Sequence, residues 1–212
     1  MITSPLVPPP LTQTQLELSP ETFSAFALGL SKTGLSKHLK KKSRKNGGTT
    51  FVPTNDAFRR LGRRANAFLF SKRGEHCLRA LLQYHLVLNQ TLYSDVLYTS
   101  SGRVEEFRDK IEKGVHVVLA TGLGNRTVSV DLNYRHRHVV MRVNGFERAV
   151  ELDRIARDGV VHVLDRVLIP PKIVGGKEVV SEDVGEMSPE ELEGRLLGEW
   201  VDEAEQRIHA EL

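Results

Sequence analysis

The sequence predicts an α+β domain, with short helices in its first half and antiparallel sheet in its second. Apolar residues recur at helical spacing up to about residue 84, whereas from Gly114 onward they alternate with polar residues. A length of 212 residues and an apolar content of 40% suffice for one domain with its own core. Cys77 is the only cysteine, so the core must hold without an internal disulfide.

The first half shows helix-start signals. Ser19 can cap a helix that has Pro20 at its first position, and aromatic residues follow on one face. The β-branched segment 49–53 predicts a strand closed by proline, after which Thr54 can cap a second helix. Residues 75–84 form a third apolar helical stripe that runs directly into an extended segment. We therefore expect mainly helices, with one strand at residues 49–53, before the extended segment that follows residue 84.

The second half has period-two alternation. The predicted strands are 115–119, 128–132, 139–143, 146–152 and 160–169. Asn144-Gly145 predicts a two-residue hairpin, and Asp158-Gly159 predicts another turn. The last strand is almost continuously apolar and is stopped by Pro170, so we expect it at the centre of the sheet.

Three regions are predicted along the chain. Residues 1–18 are a Pro-rich, flexible lead-in, residues 19–174 are the domain, and residues 177–212 are an acidic tail with one amphipathic helix. We expect this helix to dock on its own domain, and self-association through residues 192–201 is the alternative.

Charge is unevenly distributed. The net charge is +3 overall, but residues 177–212 carry −9, which leaves +12 on residues 1–176. A basic run at residues 37–45 is the strongest local feature. One hypothesis is therefore an intracellular protein whose basic run binds nucleic acid or anionic lipid; an exposed charged loop explains the run equally well.

Three segments together resemble the fasciclin (FAS1) domain family. They are TTFVPTNDAF at residues 49–58, Tyr84-His85 before an apolar strand, and GVVHVLDRVLIPP at residues 159–171. The segment beginning Tyr93-Ser94-Asp95 is also similar to the family. The resemblance implies a twisted β-sandwich or wedge of about seven strands that carries a bundle of short helices.

The resemblance also implies roles for single residues. Tyr84, His85, Tyr93, Ser94 and Asp95 are the implied partner-binding set. At a helix-to-strand junction, however, Tyr84 and His85 can instead bond unpaired backbone groups, and we favour that role. The motif residues expected to be structural are Thr50, Phe51, Pro53, Thr54, Asn55, Phe58, His162, Asp165 and Pro170.

No residue set predicts catalysis. The sequence has no Gly-x-Ser-x-Gly, no phosphate-binding glycine loop and no Cys/His metal spacing. His136 and His138 share one face of a strand, but arginines alternate with them and a third ligand is missing, which favours a solvated or anion-facing strand. We expect no enzyme activity, no cofactor and no metal.

The resemblance implies a non-enzymatic adhesion or interaction module of fungal type, which binds a protein or glycan at a cell surface, in a matrix or in a vacuolar lumen. Asn89 and Asn125 begin glycosylation sequons that are compatible with a secretory route. The residues after Met1 lack the pattern of a signal peptide, so this location requires a signal upstream of the sequence.

Overall fold

The computed structural model describes residues 9–37, 47–99, 101–107, 114–124, 126–135, 138–174, 177–179 and 187–197. The helices are α1 (Thr12–Leu18), α2 (Pro20–Lys32), α3 (Asn55–Arg60), α4 (Arg63–Leu69), α5 (Glu75–Tyr84) and α6 (residues 189–197). The strands are β1 (Gly48–Pro53), β2 (Leu86–Leu88), β3 (Gln90–Leu92), β4 (Val96–Thr99), β5 (Val104–Glu106), β6 (Val115–Ala120), β7 (Thr127–Arg135), β8 (His138–Val143), β9 (Glu147–Ala156), β10 (Gly159–Leu164), β11 (Lys172–Val174) and β12 (Lys177–Val179).

The main sheet is mixed and has seven strands in the order β2-β1-β10-β9-β8-β7-β6. Among the described strand pairs, only β1 and β10 are parallel, and their register pairs Thr49 with Val160. A bridge between Val87 and Thr121 connects the two ends of the sheet, so that it nearly closes into a barrel. This confirms the predicted α+β class, the sheet of about seven strands and the short helices beside it.

The core lies between the sheet and the helices. All six residues of β1 are buried, as expected for a central strand covered on both faces. Helix α2 contributes Phe23, Phe26 and Leu30 to this core. Gly29 lets α2 approach α5 closely, since a Cβ there would lie 3.1 Å from Leu82 Cδ1. The aromatic stripe of α2 is therefore core packing.

Two predicted turn signals have left-handed backbone, but one loop is longer than expected. Asn144 and Gly145 have φ of 51° and 82°. However, β9 begins only at Glu147, which pairs with Val143, so the loop between these two residues has three residues and not the predicted two. Gly159 has φ of 142°, and a Cβ on it would lie 2.0 Å from Gly48 O. Glycine at residue 159 therefore lets β10 approach β1.

Residues 12–18 were expected in a flexible lead-in, and that prediction is wrong for them. They form α1, in which Thr12 and Leu16 are buried. The backbone N and Oγ1 of Thr12 both donate to Asp158 Oδ1, each at 2.8 Å. Helix α1 is thus held to the β9–β10 turn largely by hydrogen bonds. The apolar content of residues 12–18, on which the prediction was based, does not reveal such contacts. Residues 1–8 of the predicted lead-in lie outside the described residues.

Helix α6 begins as predicted, because Ser188 Oγ accepts a hydrogen bond from Glu191 N at 3.1 Å. Its residues Leu192 and Leu196 are 0% and 4% exposed and belong to the core of the domain. The alternative of self-association through residues 192–201 is therefore wrong for these two leucines, since their own chain covers them. Trp200 lies outside the described residues.

Candidate functional site

Tyr84 is a core residue with an exposure of 0%. Its hydroxyl donates to Thr127 O at 3.1 Å and accepts from Asn144 Nδ2 at 3.0 Å. The side chain thus connects the end of α5 to β7 and to the β8–β9 loop. A partner cannot contact it unless the core opens.

His85 is equally buried, and both ring nitrogens bond to backbone groups. Nδ1 lies 2.8 Å from Leu81 O, and Nε2 accepts from Leu168 N at 2.9 Å. This pattern requires the neutral tautomer with its proton on Nδ1. Burial lowers the pKa of His85 to about 4, against the opposing effect of its hydrogen bond to Leu81. Direct partner contact through Tyr84 and His85 is therefore contradicted, and the backbone-bonding interpretation describes both residues.

The loop between β3 and β4 holds the other three predicted partner-binding residues at or near the surface. Tyr93 and Ser94 are half-buried and Asp95 is exposed. Ser94 N donates to Asp153 Oδ1 at 2.9 Å, and Tyr134 Oη donates to Ser94 O at 2.6 Å. The loop is therefore fixed in place by β7 and β9.

Tyr93 and Tyr98 form an aromatic pair at this loop. Their ring centroids are 6.1 Å apart at an interplanar angle of 88°, and Tyr98 is 45% exposed. Burial, then Asp153 and Tyr98, raise the pKa of Tyr93. The phenol of Tyr93 is therefore protonated at neutral pH and can donate a hydrogen bond.

Three of the four tyrosines of the chain meet here with two aspartates. Burial raises the pKa of Tyr134, and Asp95 and Asp153 raise it further. We call this surface the tyrosine–aspartate patch; it consists of Tyr93, Asp95, Tyr98, Tyr134 and Asp153. It presents aromatic faces, phenol donors and carboxylate acceptors.

His162 connects the patch to the core. It is fully buried and stacked on Phe51, with ring centroids 5.7 Å apart. Its Nε2 donates to Leu92 O at 2.8 Å, and its Nδ1 accepts from Asp153 N at 3.3 Å. Burial lowers its pKa, so the ring is neutral, although its hydrogen bond to Leu92 and the charge of Asp153 raise the pKa. This hydrogen bond fixes the position of Asp153, whose φ is 57°, within the patch.

The other motif residues lie on or beside β1 and β10. Thr54 Oγ1 accepts from Ala57 N at 3.1 Å, which is the predicted cap of α3. Asn55 Oδ1 accepts from Ala25 N at 2.9 Å and ties α3 to α2. Asp165 is partly exposed, and its Oδ2 lies 4.0 Å from Arg60 Nη1. The buried members of this group are Thr50, Phe51, Pro53, Phe58 and Pro170.

Several predictions fall at the border of the described residues. Asn89 is exposed with φ of 65°, whereas Asn125 lies outside the described residues. Only Lys37 of the basic run is described, so nucleic-acid or lipid binding by residues 37–45 stays a prediction. His136 also lies outside the described residues.

Within the described ranges, no group of three metal-binding side chains occurs, and no helix is long and apolar enough to cross a membrane.

Sequence reasoning missed Tyr98, Tyr134 and Asp153. Tyr98 and Tyr134 sit in strands and carry no motif of their own. Asp153 lies within β9, close to shifts of the β9–β10 register after Val161. A non-glycine residue with positive φ in a strand becomes recognisable only in the structure.

Comparison with known proteins identifies similar chains. The family model described as the fasciclin domain matches residues 21–170. "Aurofusarin biosynthesis cluster protein S" of Gibberella zeae is 35% identical over 175 residues, covering 77% of this chain and 43% of that protein. This chain thus spans less than half the length of the relative. Among solved structures, a FAS1 domain pair from the insect cell adhesion molecule fasciclin I matches with a TM-score of 0.56 at 18% identity, covering 77% of this chain and 52% of that one.

Proposed function

The chain belongs to the fasciclin domain family, whose members are associated with adhesion and interaction, and from this we propose that it is a non-enzymatic binding module. Its partner is a protein or glycan at a cell surface, in a matrix or in a vacuolar lumen. Fasciclin domains are typically secreted or extracellular, and the sequon at Asn89 lies on an exposed position, which agrees with such a location.

The tyrosine–aspartate patch is the observation that carries this proposal. Tyrosine contributes large contact area at a low entropic cost, and it is enriched among residues that dominate binding energy. The loop that presents Tyr93 and Asp95 is already fixed by hydrogen bonds from β7 and β9, so little ordering is required on binding. These features suit recognition of a polar surface.

The same region argues for binding without covalent chemistry. The buried His162 uses both ring nitrogens for backbone contacts, so it has no free nitrogen to act as a general base. Ser94 Oγ has no adjacent base among the described contacts, and its backbone groups hold the loop.

The fungal relative supports testing a protein partner first. Its name assigns that protein to a biosynthesis cluster, which by definition encodes several proteins. We propose that this chain contacts another protein through its patch, with a glycan as the other partner class.

The test measures binding of the purified chain to the surface of its native cells. Tyr98→Ala combined with Asp95→Asn should weaken binding by about tenfold or more, because both groups contact the partner. Leu18→Ala is the control, since Leu18 is also exposed, at 72%, but lies in α1, outside the patch. Equal binding by the double variant and the native chain would overturn the assignment of the patch.

A further inference from the structure

A second surface, on the outer face of β6–β9, carries a cluster of arginines. Arg142 on β8 and Arg148 on β9 are directly paired across the strands, and Arg135 ends β7. All three are exposed. We call Arg135, Arg142 and Arg148, with the neighbouring Asn133 and Val140, the arginine face.

The arginine face is only partly compensated, because Asp131 lies opposite Arg142 and lines the same concavity, whereas Arg142 and Arg148 face each other. Like charges that are directly opposite on neighbouring strands destabilise a sheet. Asp131 is paired with Arg142 in the register, but its Oδ1 lies 2.7 Å from His116 Nδ1. Within the described residues, no ion pair joins a carboxylate to any of the three guanidinium groups. A bound anion would relieve this repulsion.

The shape of the face indicates an extended ligand. The arginines line an open concavity of about 600 Å³ together with Gly114, Asn133 and Val140. Arg135 lies four residues along β7 from Asp131, which is opposite Arg142. At the rise of a strand, the Cα of Arg135 is therefore roughly 13 Å from the Cα of Asp131. A polymer with repeated charges can contact arginines spread over such a distance.

The uncharged side chains favour a polysaccharide. Val118, Val140 and Val150 share the outward side of these strands, and Asn133 supplies an amide for hydroxyl groups. Single-stranded nucleic acids are bound by stacking on aromatic side chains, and protein interfaces centre on aromatic anchors. The described outward positions on β6–β9 hold no Phe, Tyr or Trp, and their only ring side chains are His116 and His138.

We propose that the arginine face binds a linear acidic polysaccharide whose carboxylate or sulfate groups form charge-assisted hydrogen bonds with the guanidinium groups. This surface is distinct from the tyrosine–aspartate patch. Tyr134 points toward the patch, while its neighbours Asn133 and Arg135 lie on the opposite face of β7. A substitution at one surface can therefore remove its binding without changing binding at the other.

Titration calorimetry of the full chain at low ionic strength, with oligogalacturonate and a heparin oligosaccharide, tests the proposal. The first carries carboxylates and the second also carries sulfates, so the tighter ligand identifies the preferred anion. Arg142→Gln with Arg148→Gln should weaken binding by about tenfold or more. Added salt should also weaken it, because the charges are exposed.

Arg64→Gln with Arg73→Gln is the matched control, since it removes the same charge from exposed positions elsewhere and should change affinity less than about twofold. Tyr98→Ala should leave polysaccharide affinity unchanged, which separates this site from the patch. Equal losses in both double variants would show attraction by net charge alone and overturn the proposal. So would absence of binding to both oligosaccharides, or tighter binding of single-stranded DNA or polyglutamate.

Discussion

Tyr84, His85 and His162 are polar side chains in the core whose hydrogen-bonding atoms contact backbone groups. Each joins segments that have no regular pairing with each other. His85, for example, bonds Leu168 N, and this residue follows β10 outside any strand. A buried backbone group without a hydrogen bond lowers the free energy of unfolding by about 1–3 kcal/mol. These three side chains therefore stabilise segments whose backbone groups are not paired by neighbouring strands.

Gly159→Ala should lower the free energy of unfolding by about 3 kcal/mol or more. The residue has φ of 142°, and its new Cβ would meet the backbone of Gly48, which cannot move without separating β1 from β10. The measurement is urea unfolding at neutral pH. Gly194→Ala is the control: Gly194 lies in α6 with open space around it, so alanine should stabilise by about 0.5–1 kcal/mol. A small effect of Gly159→Ala would contradict the close contact.

Most elements could be predicted from the sequence because their signals are local. The cap by Thr54, the helix at residues 75–84 and the alternation of β7 and β8 depend on neighbours in sequence. Helix α1 could not, because Asp158, which holds Thr12, lies 146 residues away. For the same reason the tyrosine–aspartate patch was only partly predicted. Its loop lies in a family-like segment, whereas Tyr134 and Asp153 reach it by tertiary packing.

Thr12→Val should release α1 without disturbing the other helices. Valine keeps the shape of threonine but removes the hydroxyl that donates to Asp158, at a cost of about 1–2 kcal/mol. Hydrogen exchange should become faster at the α1 amides and stay unchanged in α2. The exposed Thr14 provides the control substitution, Thr14→Val. Unchanged exchange in α1 would show that the contact with Asp158 does not hold the helix.

The pH dependence of stability is a property of the whole molecule, because buried groups with opposite effects on the free energy of unfolding contribute to it. His85 has a pKa lowered from 6.5 to about 4, so between these values the unfolded chain binds a proton that the folded chain does not. The contribution of His85 to the free energy of unfolding therefore falls by roughly 3 kcal/mol on acidification from pH 7 to 4. His162 acts in the same direction.

Glu147 opposes this trend. Burial raises its pKa from 4.5 to about 7, with Asp165 adding to the rise and Arg166 opposing it. The folded chain therefore holds an extra proton in this range, and the stability contribution of Glu147 decreases as pH rises.

Glu147→Gln should increase stability at pH 8 and make the fall on acidification steeper. Glutamine does not ionise. The variant therefore lacks both the buried charge that Glu147 carries at pH 8 and the extra proton that Glu147 binds near pH 5. Urea unfolding at intervals from pH 8 to 4 measures both effects, with the exposed Glu151→Gln as the control. Parallel profiles for native protein and Glu147→Gln would contradict the raised pKa.

The parallel pairing of β1 with β10 constrains the order in which the chain can fold. Thr49 and Val160 are about 110 residues apart, and loops of that length close slowly. During synthesis, β1 leaves the ribosome long before its central partner exists. The nascent chain must therefore keep an apolar strand with one unpaired edge until residue 164 has emerged, and at that stage binding by chaperones would matter most.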